Sequence, residues 1–359
     1  MFSSSNLLNK FFSKHPEETE AYLKAFRTSH SAEAIIKSLQ GLSDLNVLVV
    51  GEAILDQYVY SIPLQKAPKE AIVTTRFDSD ESFAGGSVAV ANHLAGFCRE
   101  VTLVTCFGPE EEPLRFIRSK LGKNIDLKGL ATDDRPTIVK RRFLDKTWMT
   151  KMFEMQYLND ADISGETEKE LLNLLEVLIP RHDMVVVADF GHGMFTPAIR
   201  SYLAECPKFV ALNVQTNSAN LGFNLATKYQ KANYLSIDET ELKLAAHTLY
   251  GDIPAIARRL KASLGIPNFM VTRGPKGSLF LPEGGDSHET PVFSTKIVDR
   301  TGAGDAFFSV TAPCVYRDFD PEVVGFIGNC VGALAVEIVC NREPVDPVNL
   351  YKFIQHLLK

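Results

Sequence analysis

Residues 297–308 read Ile-Val-Asp-Arg-Thr-Gly-Ala-Gly-Asp-Ala-Phe-Phe, which joins a β-branched pair, a glycine-rich turn and an apolar helix start. Glycines let a ligand approach the main chain closely. The free N–H groups at a helix start bind anions, and the helix dipole favours negative charge there. Asp305 falls in the first turn and points into the same space. A carboxylate beside an anion site suits removal of a proton from a hydroxyl during phosphoryl transfer.

A second interpretation of this stretch is purely structural: Gly302 and Gly304 form only a tight turn, and Asp305 only caps the helix. The longer string favours the functional interpretation. Residues 299–307, Asp-Arg-Thr-Gly-Ala-Gly-Asp-Ala-Phe, resemble the signature of the PfkB/ribokinase family of ATP-dependent sugar kinases.

The resemblance implies a role for each residue of the motif. The amides of Gly302, Ala303 and Gly304 are expected to form the anion hole, and Asp305 is expected to be the catalytic base. Thr301 is expected to contact the nucleotide. Family members often carry Thr where Arg300 stands, so this chain has an added positive charge beside the phosphates.

The composition limits the classes of partner. The chain has 359 residues, 45% of them hydrophobic, which is ample for a large core, and a formal net charge of -6. An acidic chain is a poor partner for nucleic acid or an anionic membrane. The six cysteines are far apart and form no metal-ligand spacing, and the first ten residues lack the apolar core of a signal peptide. We therefore expect a cytoplasmic protein with no nucleic-acid or membrane partner.

The order of strand-like and helix-like segments predicts the architecture. After residue 46 they alternate without a repeat or a linker, which favours an α/β fold with a largely parallel sheet between helices. The resemblance implies a ribokinase-like three-layer α/β/α sandwich over 46–359, with small β-lid strands at about 57–80 and 136–157. Residues 1–45 are predicted to form a helical extension. We expect it to dock on the kinase body or on a second subunit, in a homodimer, and to be dispensable for chemistry.

Three segments are expected on the sugar side of the site. The opening strand and its continuation, residues 47–60, resemble those of PfkB kinases and more closely those of bacterial heptose-phosphate kinases. This implies that Asp56 bonds sugar hydroxyls, although an Asp after a strand is often only a turn former. Gly85 and Gly86 resemble the family's Gly-Gly motif, whose backbone approaches the sugar. Asp189 follows another apolar strand, where the family has an Asp near the sugar and the phosphates.

A basic cluster follows in the second lid segment, and it contains Lys140, Arg141, Arg142, Lys146 and Lys151. Along a strand, side chains alternate between the two faces, so Lys140 and Arg142 share one face and Arg141 takes the other. One interpretation is a solvated edge that is protected by charge. The other, which we favour, is that Lys140 and Arg142 clamp a phosphate already present on the sugar.

The nucleotide side carries two further resemblances. Residues 271–277 match the family's V-T-x-G-x-x-G nucleotide element, which implies that Thr272, Gly274 and Gly277 bind ATP, with Asn329 on the adenine side. Asp238 and Glu241 resemble the family's N-x-x-E element, which implies Mg²⁺, a cation that prefers oxygen ligands and retains waters. Alternatively, both carboxylates are only the acidic start of a helix over 239–249.

We therefore expect MgATP-dependent phosphorylation of a sugar or sugar-phosphate hydroxyl, heptose-phosphate-like by resemblance and feeding nucleotide-sugar or surface-glycan synthesis. Two alternatives stay open. One is another ATP-using enzyme on this fold, such as a vitamin kinase or a hydrate-repair dehydratase. The other is a catalytically inactive nucleotide-binding regulatory or assembly subunit, which the departures from the family pattern at Glu52, Ala89 and Asn213 keep possible.

Overall fold

The computed structural model describes residues 15–65, 67, 69–294 and 296–359. In chain order, the helices are α1 (Glu17–Ser29), α2 (Ala32–Gln40), α3 (Ser87–Ala95), α4 (Glu111–Lys120), α5 (Gly165–Leu178), α6 (Pro197–Ala204), α7 (Glu239–Ala245), α8 (Ile253–Leu264), α9 (Ala303–Tyr316), α10 (Pro321–Ala335) and α11 (Pro347–Leu357). The strands are β1 (Asn46–Gly51), β2 (Ala53–Pro63), β3 (Thr75–Gly86), β4 (Glu100–Phe107), β5 (Ile125–Ala131), β6 (Ile138–Asp145), β7 (Thr150–Tyr157), β8 (Met184–Asp189), β9 (Phe209–Val214), β10 (Tyr234–Asp238), β11 (Asn268–Thr272), β12 (Ser278–Leu281) and β13 (His288–Thr290).

Nine of these strands form one large sheet in the order β13-β12-β11-β10-β9-β8-β1-β4-β5. Every pairing from β11 to β5 is parallel, whereas β12 and β13 are added antiparallel at one edge. The predicted mostly parallel sheet is therefore confirmed. In such a sheet the carboxyl ends of the parallel strands share one edge, where ligands bind.

Alternation along β1 explains the layered architecture. Val47 and Val49 point into an apolar core formed with α1, α2, α3, α9, α10 and α11. Leu48 and Val50 point into a second core formed with α5, α6, α7 and α8. A strand covered on both faces reads as a continuous apolar run, which is the pattern of residues 47–50. The result is the predicted three-layer sandwich.

A smaller four-stranded sheet, β3-β2-β6-β7, stands beside the carboxyl edge of the large sheet and is called the lid below. Its first strand, β2, begins two residues after β1 ends. Two details differ from the sequence prediction. The lid segment expected at about 57–80 extends further, because its second strand, β3, runs from Thr75 to Gly86. Asp56, expected after a strand, lies inside β2, where its backbone pairs with both neighbouring strands.

Helices α1 and α2 pack against the first apolar core. Leu23, Phe26, Ile35 and Leu39 are buried in it, and the ring of Phe26 stacks on that of Phe326 with centroids 4.4 Å apart. Burial of this extent makes the helices part of the folded core, because each such side chain contributes roughly 1.5–3 kcal/mol to folding. Residues 1–14 of the predicted extension lie outside the described residues, and the domain boundary at 45/46 stays a prediction.

Within the described part of the chain, none of the helices combines the length and the apolar character needed to cross a membrane. The cysteines are free thiols, and most of them are buried, as the sequence predicts.

Candidate active site

Helix α9 begins at the carboxyl edge of the large sheet with a left-handed residue, Gly302, whose φ is 83°. An added Cβ there would lie 2.0 Å from Asn341 Oδ1, so glycine is required by both conformation and space. A Cβ at Gly304 would meet no atom within 4 Å, so the first turn faces open space. Asp305 lies in that turn, and its side chain accepts a hydrogen bond from Gln215.

A groove of about 480 Å³ runs along one side of this helix start. Its walls bring together Thr272, Gly274, Gly277 and Asn329, the residues expected to bind ATP, with the Ala303–Gly304 turn. Arg300 and Asp238 line the groove as well, and its remaining walls are mostly apolar, formed by Val292, Ile297, Phe307, Ala333 and Val336. Asn329 is held in place by donating to Ser278 Oγ (2.6 Å) and to the Gly325 carbonyl (2.9 Å). The groove therefore offers an apolar cleft that ends at an anion-binding helix start.

The inner face of the lid carries the other predicted residues. Arg142 forms ion pairs with Asp56 and with Glu154, the latter 2.6 Å away. Gly85 is part of this arrangement, since a Cβ there would lie 2.0 Å from Asp56 Oδ2. Gly86 lies apart from the ion pairs, because a Cβ there would meet the Glu52 carbonyl at 2.4 Å. The charge of Arg142 is thus neutralised within the protein. To make the predicted contact with a phosphate, Arg142 would have to release Asp56 or Glu154.

Lys140 differs from Arg142. It is only 7% exposed, and none of the described residues forms a hydrogen bond or an ion pair with its ammonium group. Burial lowers the pKa of Lys140, and the nearby Asp56 opposes that effect. A buried cation without a partner is costly, so this position is suited to an anionic ligand.

Asp305 is also buried, at 7% exposure. Burial raises the pKa of its carboxyl to about 7, while the hydrogen bond from Gln215 acts in the opposite direction. The charge of Asp56 adds to the increase, and that of Lys140 opposes it. A carboxyl that titrates near neutral pH is well matched to accepting a proton from a hydroxyl.

The model of the pfkB family carbohydrate kinases matches residues 44–344. The chain belongs to the pfkB family of carbohydrate kinases. The predicted enzyme class, an ATP-dependent carbohydrate kinase, is thereby confirmed.

Relatives of this kinase with curated descriptions are distant. The bifunctional protein HldE of Nitrobacter hamburgensis is 25% identical over 295 residues, which cover 81% of this chain and 60% of that protein. The bifunctional protein HldE of Citrifermentans bemidjiense is 24% identical, with 85% and 64% covered. The chain therefore spans less than two thirds of the length of these relatives.

Solved structures establish the fold of this kinase. Ribokinase of Arabidopsis thaliana, solved with ribose and ATP, superposes with a TM-score of 0.65 at 18% identity, covering 88% of this chain and 99% of that one. Phosphofructokinase-2 of Escherichia coli, solved with potassium, gives a TM-score of 0.69 at 13% identity, covering 88% and 100%. The predicted ribokinase-like fold is confirmed.

Thr301 occupies a different place in the kinase from the one predicted. Its hydroxyl is bonded by Tyr58 (3.2 Å) and Lys151, both on lid strands. Asp299, two residues earlier, accepts hydrogen bonds from the same two side chains, with distances of 2.6 Å to Tyr58 and 2.9 Å to Lys151. The side chain of Thr301 therefore joins the lid to the motif and does not line the groove.

The predicted metal ligands form the cap of helix α7. Asp238 accepts from the Glu241 amide, and Glu241 accepts from the amides of Asp238 (2.8 Å) and Thr216 (2.9 Å), which is a capping box. The helix ends at Ala245, four residues before the predicted end. Burial, followed by the charge of Asp238, raises the pKa of Glu241 to about 8.

These two carboxylates fit magnesium only through water. Glu241 is saturated by amides, whereas Asp238 is exposed at the groove. Within the described residues, no group of three or more His, Cys, Asp or Glu side chains is arranged to hold a metal ion by itself. The two carboxylates thus suit a hydrated cation that is coordinated mainly by nucleotide phosphates.

Asp189 is no longer a candidate for sugar binding in this kinase. It is 1% exposed, and its carboxylate accepts from Tyr229 (2.6 Å), the Gly191 amide (2.9 Å), Asn224 and Lys228. Buried Glu52 has a similar structural role, since its carboxylate accepts hydrogen bonds from the backbone amides of Phe190 and His192. Both acids therefore hold the loop after β8.

Two residues at the site of the kinase are missing from the sequence predictions. Gln215 follows β9, and its position at the carboxyl end of a parallel strand was the available signal. Asn341 follows α10 and lies beside both Gly85 and Gly302, where its amide faces the site. Its sequence context carries no motif, so only the tertiary structure identifies it.

Proposed function

We propose that this kinase transfers the terminal phosphoryl group of MgATP to a hydroxyl of a sugar that already carries a phosphate. The observation that carries the proposal is Lys140, a residue that is only 7% exposed and whose ammonium forms no hydrogen bond or ion pair with the described residues. It acts electrostatically on Asp305. An ammonium recognises phosphate through charge-assisted hydrogen bonds, which compensate its desolvation.

Two comparisons support a phosphorylated substrate. Phosphofructokinase-2 of Escherichia coli, a structural neighbour with a TM-score of 0.68, was solved with fructose-6-phosphate. The opening strand of this chain resembles that of heptose-phosphate kinases, and its curated relatives are HldE proteins. A heptose phosphate, in a route to nucleotide sugars or surface glycans, is therefore the first substrate to examine.

In the proposed reaction, the sugar hydroxyl oxygen attacks the terminal phosphorus of ATP, and the bond from that phosphorus to the ADP oxygen breaks. The hydroxyl proton passes to Asp305. The amides of Gly302, Ala303 and Gly304 hold the transferred group, so that positioning and charge neutralisation supply most of the catalysis. Arg300, at the groove, adds positive charge beside the phosphates.

The remaining cofactor assignments follow from the groove. Its apolar walls suit the adenine base, and the helix start at its end suits the phosphates. Asp238, and Glu241 through the cap, would hold the waters of Mg²⁺. When bound, the cation would neutralise charge on the nucleotide phosphates.

The alternative of a catalytically inactive regulatory subunit is disfavoured by the intact arrangement of Asp305 beside the glycine turn. The departures at Asn213 and Glu52 do not remove a base from the site: Asn213 bonds Gln215, and Glu52 anchors a loop. A vitamin kinase or a hydrate-repair enzyme is disfavoured by the lid cation, Lys140.

We also propose a cytoplasmic homodimer. The free thiols are typical of a reducing compartment. Phe153, Met155 and Tyr157 leave exposed apolar surface on β7, which suits a contact with a second copy of the chain. Light scattering of the purified chain measures the oligomeric state, and a mass of one chain would contradict the dimer.

The test of the substrate class compares Lys140→Met with Lys146→Met, a lid lysine that is exposed and bound to Asp78. Each variant and the wild type receive ATP with phosphorylated sugars and with the corresponding free sugars. Lys140→Met is expected to raise KM for the phosphorylated sugar by roughly 10- to 100-fold, because a charge-assisted contact is lost. KM for ATP should be unchanged, and Lys146→Met should resemble the wild type. Equal use of free and phosphorylated sugars by the wild type would contradict the proposal.

A further inference from the structure

Gln215 occupies a fixed position between the large sheet and Asp305. Its backbone N–H donates to the Asp189 carbonyl (2.8 Å), and its carbonyl accepts from Asn224 (2.9 Å). Its side-chain Nε2 donates both to Asn213 Oδ1 (2.9 Å) and to Asp305 Oδ1. Asn213 is anchored in turn by donating to the Ser236 carbonyl (2.7 Å). The backbone of Gln215 is therefore fixed by two hydrogen bonds, and its side-chain amide is held by Asn213 as well as by Asp305.

The second oxygen of the Asp305 carboxyl, Oδ2, has no polar partner among the described residues. Within the described part of the chain, Oδ2 accepts no hydrogen bond, and no cation is paired with the group. The charged groups that face it come from different elements: Asp56 on β2, Lys140 on β6 and Glu241 on α7. Gln215 is thus a neutral donor in a position where the neighbouring groups are charged.

We propose that Gln215 is a positioning residue for the catalytic base: its amide holds Asp305 Oδ1, so that Oδ2 is presented to the substrate hydroxyl. This inference rests on the proposed function, in which Asp305 accepts the hydroxyl proton. The neutral amide suits both states of the base, because Oδ1 accepts the same hydrogen bond whether Oδ2 is free or protonated.

The charge of residue 215 should therefore control the pH at which the base becomes active. The hydrogen bond from Gln215 stabilises the carboxylate and lowers the pKa of Asp305 against the effect of burial. A lysine at 215 adds a positive charge and should lower this pKa further. A methionine removes the donor and should raise it, and a glutamate adds a like charge and should raise it more.

The experiment measures kcat/KM against pH for the wild type and for Gln215→Lys, Gln215→Met and Gln215→Glu. ATP and the best-used member of a panel of sugar phosphates, including fructose 6-phosphate and a heptose phosphate, are the probes. The control is Gln355→Met, an exposed residue of α11. The acidic limb of the kcat/KM profile should lie at the lowest pH for Gln215→Lys, followed by the wild type, Gln215→Met and Gln215→Glu. The limb of Gln215→Met should lie about one pH unit above that of the wild type. At the pH optimum, Gln215→Met should lose roughly tenfold in kcat.

A purely structural role for Gln215 would lower activity equally at every pH and leave the acidic limb in place, which would overturn the inference. The order Lys, wild type, Met, Glu would support it. If a variant fails to fold, Gln215→Glu carries the test, because it changes only the terminal amide. A parallel Asp305→Asn variant separates the two claims. If Asp305→Asn keeps wild-type turnover, the proposed function fails; if it is inactive but the Gln215 variants keep the wild-type limb, only the inference fails.

Discussion

Lys151 on the lid and Asp299 in the segment before α9 form a salt bridge, with Nζ and Oδ1 2.9 Å apart. Lys151 also bonds Thr301, and Gln156 at the other end of β7 donates to Ser218 Oγ (2.9 Å) on the body. The lid is thus tied at both ends of one strand to the edge of the large sheet. The Lys151 contacts link the lid to the segment that leads into the Gly302–Gly304 turn.

Lys151→Met is expected to lower the free energy of unfolding by about 1 kcal/mol, since the lysine is partly exposed. The cost should be largest near neutral pH and should shrink in acid. Burial opposes ionisation of Asp299, but the hydrogen bonds from Tyr58 and Lys151 lower its pKa to about 2. The stabilisation from this group is therefore complete above its unfolded pKa of about 4 and is lost as the pH falls toward 2.

Urea unfolding of Lys151→Met and the wild type between pH 3 and 7 checks this expectation. Lys169→Met, on exposed helix α5, is the matched control. In the Lys151 variant, the loss of stability between pH 7 and 3 should be smaller than in the wild type, so that the two stabilities converge in acid. Curves that match those of the Lys169 variant at every pH would show that the contact contributes nothing.

Arg142→Ala is expected to destabilise the kinase by about 3–5 kcal/mol, because it leaves buried Asp56 without its counter-ion. Burial already raises the pKa of Asp56, and Arg142 opposes this. Arg141→Ala is the control, since Arg141 lies on the other face and bonds the neutral Gln57. Asp56→Asn combined with Arg142→Ala should cost less than the sum of the two single changes.

Thermal unfolding measures these costs, and steady-state kinetics measures KM for the sugar phosphate and for ATP. KM for the sugar phosphate should rise much more than KM for ATP, because Arg142 orients Asp56 beside Lys140. Equal destabilisation by Arg141→Ala and Arg142→Ala would contradict the ion-pair account.

Local patterns in the sequence were sufficient for the parts of the site formed by neighbouring residues. The turn at Gly302 and the placement of Asp305 follow from one continuous motif, and β1 follows from its apolar run. The partners of Arg142 and Lys151 were not predictable in this way. Asp299 lies 148 residues from Lys151, and their meeting depends on how the lid packs on the body.

The metal and sugar predictions show the same limit. Asp238 and Glu241 fit both a metal element and a capping box at the same three-residue spacing, and only the hydrogen bonds separate the two. Asp189 ends an apolar strand, as a ligand-binding residue would, but Tyr229, Lys228 and Asn224 come from a later loop and saturate it. A strand-end position therefore predicts proximity to a site, not exposure to its ligand.

Phe26→Ala is expected to destabilise the kinase by about 3–5 kcal/mol and to raise KM for ATP. Phe26 stacks on Phe326 of α10, the helix that also carries Asn329 of the groove. Loss of the ring leaves a cavity behind that wall. Removal of residues 1–45, expected from the sequence to spare the chemistry, should for the same reason impair folding.

The matched control is Phe97→Ala, because Phe97 is equally buried and does not line the groove. Melting temperatures and both Michaelis constants are the measurements. An equal decrease in stability without the increase in KM for ATP would show that α1 supports the core only. A truncated chain lacking 1–45 that keeps its melting temperature and its turnover would show that the extension is dispensable.

The most direct test of the central claim is a measurement of phosphoryl transfer from ATP by the wild type and by Asp305→Asn, with phosphorylated sugars and their free forms. The account predicts that the wild type phosphorylates a sugar phosphate faster than its parent sugar. It also predicts that Asp305→Asn loses roughly 100- to 10,000-fold in kcat while its affinity for ATP is largely retained. Near wild-type turnover by Asp305→Asn, on the substrate that the wild type uses, would contradict it.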